Sequence, residues 1–206
     1  MKKMKKRKGG NPKPRGKKGG QFERTICKEL SLWWTGNKRD DVFWRTAGSG
    51  ARATVRSKTG KRTRNQYGDV QATDRCGQPL IDLCTIEIKK GYGHRSFFDL
   101  IDMLPNETKQ PYKKFILQAR EQSEQALTDW WLLITKRDRK ETLITMPLDL
   151  AKELRQTCFI NRCHPSAKLN INVKTSKRKP PVKAAIFVTT LSQFFTYVES
   201  YHIKDL

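Results

Sequence analysis

The chain has 206 residues, 43 lysines and arginines against 20 acids, a net charge of +23 and only 36% hydrophobic residues. That length suits one α/β domain with a modest core and appended tails, and so positive a globule repels itself unless a polyanion binds it, which makes nucleic acid the leading partner. No run approaches the roughly 18 apolar residues of a membrane span, and no long amphipathic basic helix marks a membrane-surface protein, so no membrane partner is expected.

Residues 1–19 are Lys, Arg, Gly and Pro almost throughout, and ten of the first twenty residues are basic while none is acidic. Such a segment has no apolar area to bury and is expected to be a disordered basic tail. Its use would be electrostatic, as an arm along phosphates. From Gln21 the pattern turns helical: Phe22, Ile26, Leu30 and Trp33 or Trp34 recur at spacings of three and four. Gly36 and Asn37 end that helix, and Val42-Phe43-Trp44 reads as a short strand. Residues 46–66 are Gly, Ser, Thr, Arg and Lys with almost no apolar content, a loop long enough to be functional or mobile. Its Arg52, Arg56, Lys58, Lys61, Arg62 and Arg64 have no paired acid and fit a clamp on a DNA backbone.

Val70 begins a strand just after Gly68-Asp69. A turn around Arg75 to Pro79 follows, and Leu83 to Lys89 alternates as a second strand; together they predict a β-hairpin. Gly91-Tyr92-Gly93 breaks that strand. A short helix is expected around Phe97 to Met103. A longer one, over Tyr112 to Leu127, is carried by Phe115, Ile116, Ala119 and Ala126. Trp130 to Thr135 and Thr142 to Met146 read as strands around a charged turn, and Leu148 to Leu154 as a short helix. Residues 155–183 read as irregular and basic. Ala185 to Thr189 is a further strand and Leu191 to Val198 a final helix. The order predicts an α/β fold, a mixed central sheet flanked by helices.

The cysteines, Cys27, Cys76, Cys84, Cys158 and Cys163, are odd in number and irregular in spacing, with no secretory signal before them. They predict free thiols in a reducing cytoplasm. Cys158, Cys163 and His164 lack the second short-spaced pair of a structural zinc site. Trp33, Trp34, Trp130 and Trp131 stand at apolar positions and are expected in the core.

The chemistry gathers at Asp69 and Glu87-Ile88-Lys89. Positions i and i+2 of a strand share a face, so Glu87 and Lys89 project together, and pairing with the preceding strand would bring Asp69 beside Glu87. Two adjacent carboxylates repel unless a cation lies between them, and hard oxygen donors suit Mg²⁺. Such an ion polarises a phosphodiester, and Lys89 could orient a water and stabilise developing charge. The plain alternative is an ordinary solvent-facing Glu-x-Lys pair.

Asp, a hairpin and then Glu-x-Lys resembles the PD-(D/E)XK nuclease superfamily. Upstream, Gly20-Gln21-Phe22-Glu23-Arg24 resembles the opening of the first helix in archaeal-type Holliday-junction resolvases. Arg45-Thr46-Ala47-Gly48-Ser49-Gly50 is similar to the Arg and Ser-Gly element after their first strand. The likeness covers residues 20–146 as a nuclease core and leaves 147–206 as a C-terminal extension packed on it. It implies a restriction-endonuclease-like core, with Mg²⁺ (Mn²⁺ substituting) held by Asp69, Glu87 and the Ile88 carbonyl. Glu23 would approach the same ion directly or through water, although an acid in a first helical turn is favoured anyway. Lys89 would act on the attacking water, Ser49 on the scissile phosphate, and Arg45 on a phosphate or in support of Asp69. Gln118 or Gln122 would sit over the site. The departures are Gly68 where the family has proline, a longer stretch from Asp69 to Glu87, and a longer loop over 51–66.

The implied activity is a magnesium-dependent DNA endonuclease, a homodimer that resolves four-way junctions in recombination, with cytoplasmic, nucleoid-associated DNA as its partner (in the host cytoplasm, if phage-encoded). The alternatives are a duplex endonuclease of restriction or mobile-element type, and a non-catalytic nucleic-acid-binding protein.

Overall fold

The structure is a computed structural model that describes residues 15–46, 67–102, 110–154, 162–173, 182–200 and 203. The first helix, α1, runs Arg15–Trp34. It starts before Gln21, so residues 15–19, expected in the tail, belong to it; residues 1–14 lie outside the described residues. Its apolar stripe of Phe22, Ile26, Leu30 and Trp34 is buried, as the three-and-four spacing requires.

Two short strands follow, β1 (Phe43–Arg45) and β2 (Val70–Ala72). They pair antiparallel, Arg45 opposite Val70. The expected hairpin between β2 and the Glu-x-Lys strand is therefore corrected: β2 pairs with β1. A single 3-10 turn at Arg75–Gly77 and helix α2 (Gln78–Leu83) stand between β2 and β3 (Cys84–Lys90). Pro79 is the physical reason, since it opens a helix readily and cannot donate to a strand ladder.

The main sheet has the order β3-β4-β5-β7-β6. Its other strands are β4 (Trp130–Lys136), β5 (Thr142–Pro147), β6 (Ser166–Val173) and β7 (Val182–Thr190). β3 and β4 run parallel, and the remaining pairs antiparallel. The helices are α3 (Asp99–Asp102), α4 (Pro111–Ala126), α5 (Leu148–Glu153) and α6 (Leu191–Tyr197). β6 corrects the expectation of irregular chain over 155–183. Ser166 to Val173 is a polar-rich edge strand of which Ile171 is buried and Lys168, Asn170 and Asn172 are exposed, so little hydrophobic signal marks it. β6 and β7 lie in the same sheet as β3 to β5, so residues beyond 147 complete the sheet.

The sheet is covered on both faces. Ile86, Ile88, Leu132 and Ile134 pack with α1, α5 and α6, while Trp131, Leu133, Ile186 and Val188 pack with α3 and α4. This is a restriction-endonuclease-like α/β architecture, a five-stranded mixed sheet flanked by helices. Trp34 and Trp131 are core residues, and Trp33 and Trp130 pack against it. The Trp33 and Trp34 indoles donate to the carbonyls of Val198 and Cys76. Among the described residues no helix is long and apolar enough to cross a membrane.

Candidate active site

β3 is an edge strand of the main sheet, and its alternation creates the site. Ile86 and Ile88 turn to the α1 side, which leaves Thr85, Glu87 and Lys89 on the face covered by α4. Polar side chains on a covered face need partners. Thr85 shares a 2.9 Å hydrogen bond with Thr128. Glu87, 1% exposed, accepts from Gln118 Nε2 on α4 at 2.5 Å and from the Lys89 ammonium.

The segment entering β2 docks on the free edge of β3. Asp69 N donates to Ile86 O at 2.7 Å, and Ile88 N donates to Asp69 Oδ2 at 2.8 Å. The Asp69 carboxylate thus takes the place a neighbouring strand would fill. A strand residue turns its N–H and C=O to the same side, so the Ile88 carbonyl shares that edge with Asp69. Gly68 makes the close approach possible. Its φ is +76°, and a Cβ there would lie 2.7 Å from Ile86 O. Gly68 N donates to Gln122 Oε1 at 2.9 Å, and Thr46 N to Asp69 O at 3.0 Å. Gln118 and Gln122 are one turn apart on α4, on one helix face, so the same face holds both acidic arms of the site.

Lys89 Nζ lies 3.7 Å from Asp69 Oδ2 and also contacts Glu87, so it bridges the two carboxylates. Burial and then the neighbouring Asp69 carboxylate push the Glu87 carboxyl up to about 7, against the pull of Lys89. Burial acts to lower the Lys89 ammonium, but Asp69 and Glu87 outweigh it and hold the group above its ordinary value.

A second acid–base pair stands on the α1 side. Arg45 at the end of β1 reaches Glu23 Oε2 at 2.8 Å, although Oε2 accepts no hydrogen bond in that geometry. Burial, then Glu23 and Asp69, push the Cys27 thiol up to about 12; both acids therefore act on one neighbourhood. Glu23 is engaged by Arg45, while Asp69, Ile88, Glu87 and Lys89 meet directly. Ser49, Arg52, Arg56, Lys58, Lys61, Arg62 and Arg64 lie outside the described residues, as does Cys158 of the discounted zinc group.

Buried polar atoms are nearly always hydrogen-bonded, so the exceptions are informative. Of the eight such side-chain atoms among the described residues, four, Glu87 Oε2, Glu23 Oε2, Arg45 Nε and Thr46 Oγ1, belong to the residues around Asp69. Among the described residues no three Asp, Glu, His or Cys side chains converge as metal ligands. The donor set is therefore two carboxylates, one with an orphaned oxygen, and a backbone carbonyl. That set fits a hard divalent cation such as Mg²⁺, which is commonly bound by one or two carboxylates and keeps several waters. Nothing in the sequence marks Thr46, whose part is played by its backbone N–H. Gly68 stands out there only as a departure from the family's proline.

A family model described as "Phage putative PDDEXK endonuclease" matches residues 15–205. No curated protein matches the chain. Among solved structures, that of the ORF273 protein from the Acidianus two-tailed virus is similar at 14% identity and a TM-score of 0.22, covering 70% of this chain and 59% of that one. This chain thus spans less than two thirds of that protein, and a likeness so slight carries no argument.

Proposed function

Because the chain belongs to this family of phage PDDEXK endonucleases, we propose that it is a metal-dependent DNA endonuclease and that branched DNA, a four-way junction above all, is its substrate. The observation that carries the site assignment is the buried, unpartnered Oε2 of Glu87, beside Asp69 and bridged to it by Lys89. Asp69, Glu87 and the Ile88 carbonyl would hold Mg²⁺, or Mn²⁺ in its place, with Glu23 reaching it through water. Bound there, the ion supplies Lewis-acid polarisation of the phosphodiester.

The remaining work falls to the chain's own groups. Lys89, cationic and restrained by two carboxylates, orients the attacking water and stabilises the charge that grows on the phosphoryl oxygens. The water oxygen bonds to phosphorus as the bond to the 3′ oxygen breaks. The proton passes to that leaving oxygen, giving a 5′-phosphate and a 3′-hydroxyl. Arg45, already beside Glu23, and Ser49 bind phosphate near the cut. Arg52, Arg56, Lys58, Lys61, Arg62 and Arg64 extend the grip along the backbone by counterion release. A homodimer belongs to this reading, since two symmetric cuts need two centres. So does a place on cytoplasmic DNA, with which the buried thiols of Cys27, Cys84 and Cys163 are consistent.

The test incubates the purified protein with a labelled four-way junction and a linear duplex, with and without Mg²⁺. Junction cleavage that requires the ion, and that Asp69→Ala and Lys89→Ala each lower at least about 10³-fold while binding persists, is the expected result. Equal cutting of duplex would move the substrate to linear DNA. Full cleavage by Asp69→Ala would overturn the site assignment, and DNA binding with no cleavage by the wild-type protein in Mg²⁺ would end the enzymatic reading in favour of a binding protein.

A further inference from the structure

Beyond Lys89 the chain leaves β3 and turns sharply. Gly91 N donates to Lys136 O, and Arg95 N to Tyr92 O, both at 2.9 Å. Arg137 clamps the turn through the Arg95 carbonyl at 3.1 Å. At its head Tyr92 adopts a φ of +61°, left-handed backbone that a bulky side chain disfavours. Among the described residues, three other non-glycine residues share the sign, Asn37, Leu127 and Arg139. Asn37 and Leu127 sit just past helix ends, where that conformation caps the helix, and Arg139 lies in the turn between β4 and β5. Tyr92 ends no helix, and the residue is 44% exposed. Strained backbone that the surroundings enforce tends to mark functional positions.

The ring lines a cavity of about 390 Å³ together with His94, Arg95, Pro111, Lys114 and Phe115, within the usual size range of small-ligand sites. Phe115 meets Tyr92 edge to face at 4.9 Å and sets the ring's orientation. His94 and Lys114 are exposed, and Arg95 forms a long ion pair with Asp99 at 3.8 Å. The wall thus sets the Tyr92 ring, backed by Phe115 and beside Pro111, among three basic side chains. It adjoins the site: Tyr92 is three residues from Lys89, and Lys114 stands one turn before Gln118 on α4, the residue that donates to Glu87.

We propose that this cavity is a subsite for one unpaired nucleotide next to the scissile phosphate, its base stacked on Tyr92 and its phosphate held by Lys114 and Arg95. The inference rests on the nuclease reading and names what that site selects. Phosphates of a duplex are met by cationic and hydrogen-bonding groups and have no use for the face of a ring. A ring that offers its face is useful only to a base that has left the stack, and every base has such a face. Junctions, flaps and gaps expose such bases; a continuous duplex does not. The subsite would favour branched over linear DNA without reading sequence.

Binding is measured in EDTA, where no cleavage occurs, by fluorescence anisotropy with a flapped duplex and a blunt duplex. Tyr92→Ala should weaken the flapped substrate roughly tenfold more than the blunt one, Tyr92→Phe should bind as wild type, and Lys114→Ala should weaken both and flatten the salt dependence. Wild-type protein should also quench 2-aminopurine placed at the unpaired position, a readout that stands even if Tyr92→Ala does not fold. Equal losses on the two substrates, or no quenching, would overturn the subsite. A failure of the nuclease reading would appear elsewhere, as no cleavage by wild-type protein in Mg²⁺ with these affinities unchanged.

Discussion

At the scale of single residues, the informative group is Glu87. Its carboxyl is raised from an ordinary 4.5 to about 7 by burial and by Asp69. Between those values the folded chain holds a proton that the unfolded chain has released, so folding takes up protons there. The stabilisation from neutral Glu87 is fully present below about 4.5 and is lost as pH rises through about 7. Cation binding runs the other way, because the ligand must be ionised. The metal-free melting temperature should therefore fall from roughly pH 5 to pH 8, and the rise on adding saturating Mn²⁺ should be larger at the upper end. Glu87→Gln should flatten both trends, followed by differential scanning fluorimetry across the range. A wild-type profile already flat in both would show that this carboxyl neither carries the proton nor meets the ion.

At the scale of elements, the site is a docking of three pieces: the β3 edge, the segment entering β2, and α4. The first is legible in the sequence, because strand periodicity alone places Glu87 and Lys89 on one face. The proximity of Asp69 is legible too, but for the wrong reason. The sequence suggests a hairpin, whereas the structure attaches Asp69 to β3 through two hydrogen bonds and sends β2 to pair with β1. Pro79 is the visible sign of α2, and it suits a turn equally well until the helix is seen. The need for Gly68 lies in a backbone approach between segments far apart in the chain, which no local pattern encodes. The role of α4 is half visible. Gln118 and Gln122 look like any surface glutamines until the helix is laid over β3, where one donates to Glu87 and the other accepts from Gly68. If that latch fixes the metal ligands, Gln122→Leu should weaken Mn²⁺ binding about tenfold or more while costing only about 1 kcal/mol of stability. Gln122→Glu, which keeps the acceptor, should retain more affinity than Gln122→Leu. Calorimetric titration of the three proteins measures this, and an unchanged affinity in Gln122→Leu would reduce α4 to a cover.

For the whole molecule the governing quantity is charge. The fold leaves few acids to balance the 43 cations, and several of those acids already have partners: Asp40 and Lys28, Asp41 and Asp74 with Arg39, Glu124 and Arg120. Exposed pairs of this kind contribute little to stability, but each removes a cation from the surface available to DNA. Much of the unopposed excess lies in residues 1–14, 51–66 and 155–183, and the first two of these segments stand on either side of α1 and β1. Those two elements carry Glu23 and Arg45, so both basic segments neighbour, in the sequence, elements next to the Asp69 site. An arm tethered there should grip further phosphates without altering the chemistry. Removing residues 1–14 should therefore lower the slope of log Kd against log salt by up to roughly 0.9 for each phosphate that the arm had neutralised. The rate of Mg²⁺-dependent cleavage at saturating DNA should stay within about twofold, because interactions remote from the cut that bind ground and transition state alike change affinity and not turnover. Anisotropy titrations at several salt concentrations, beside single-turnover cleavage, separate the two quantities. Identical salt slopes for the full chain and the shortened one would mean that the segment is a solvated appendage and that the folded body holds the DNA unaided.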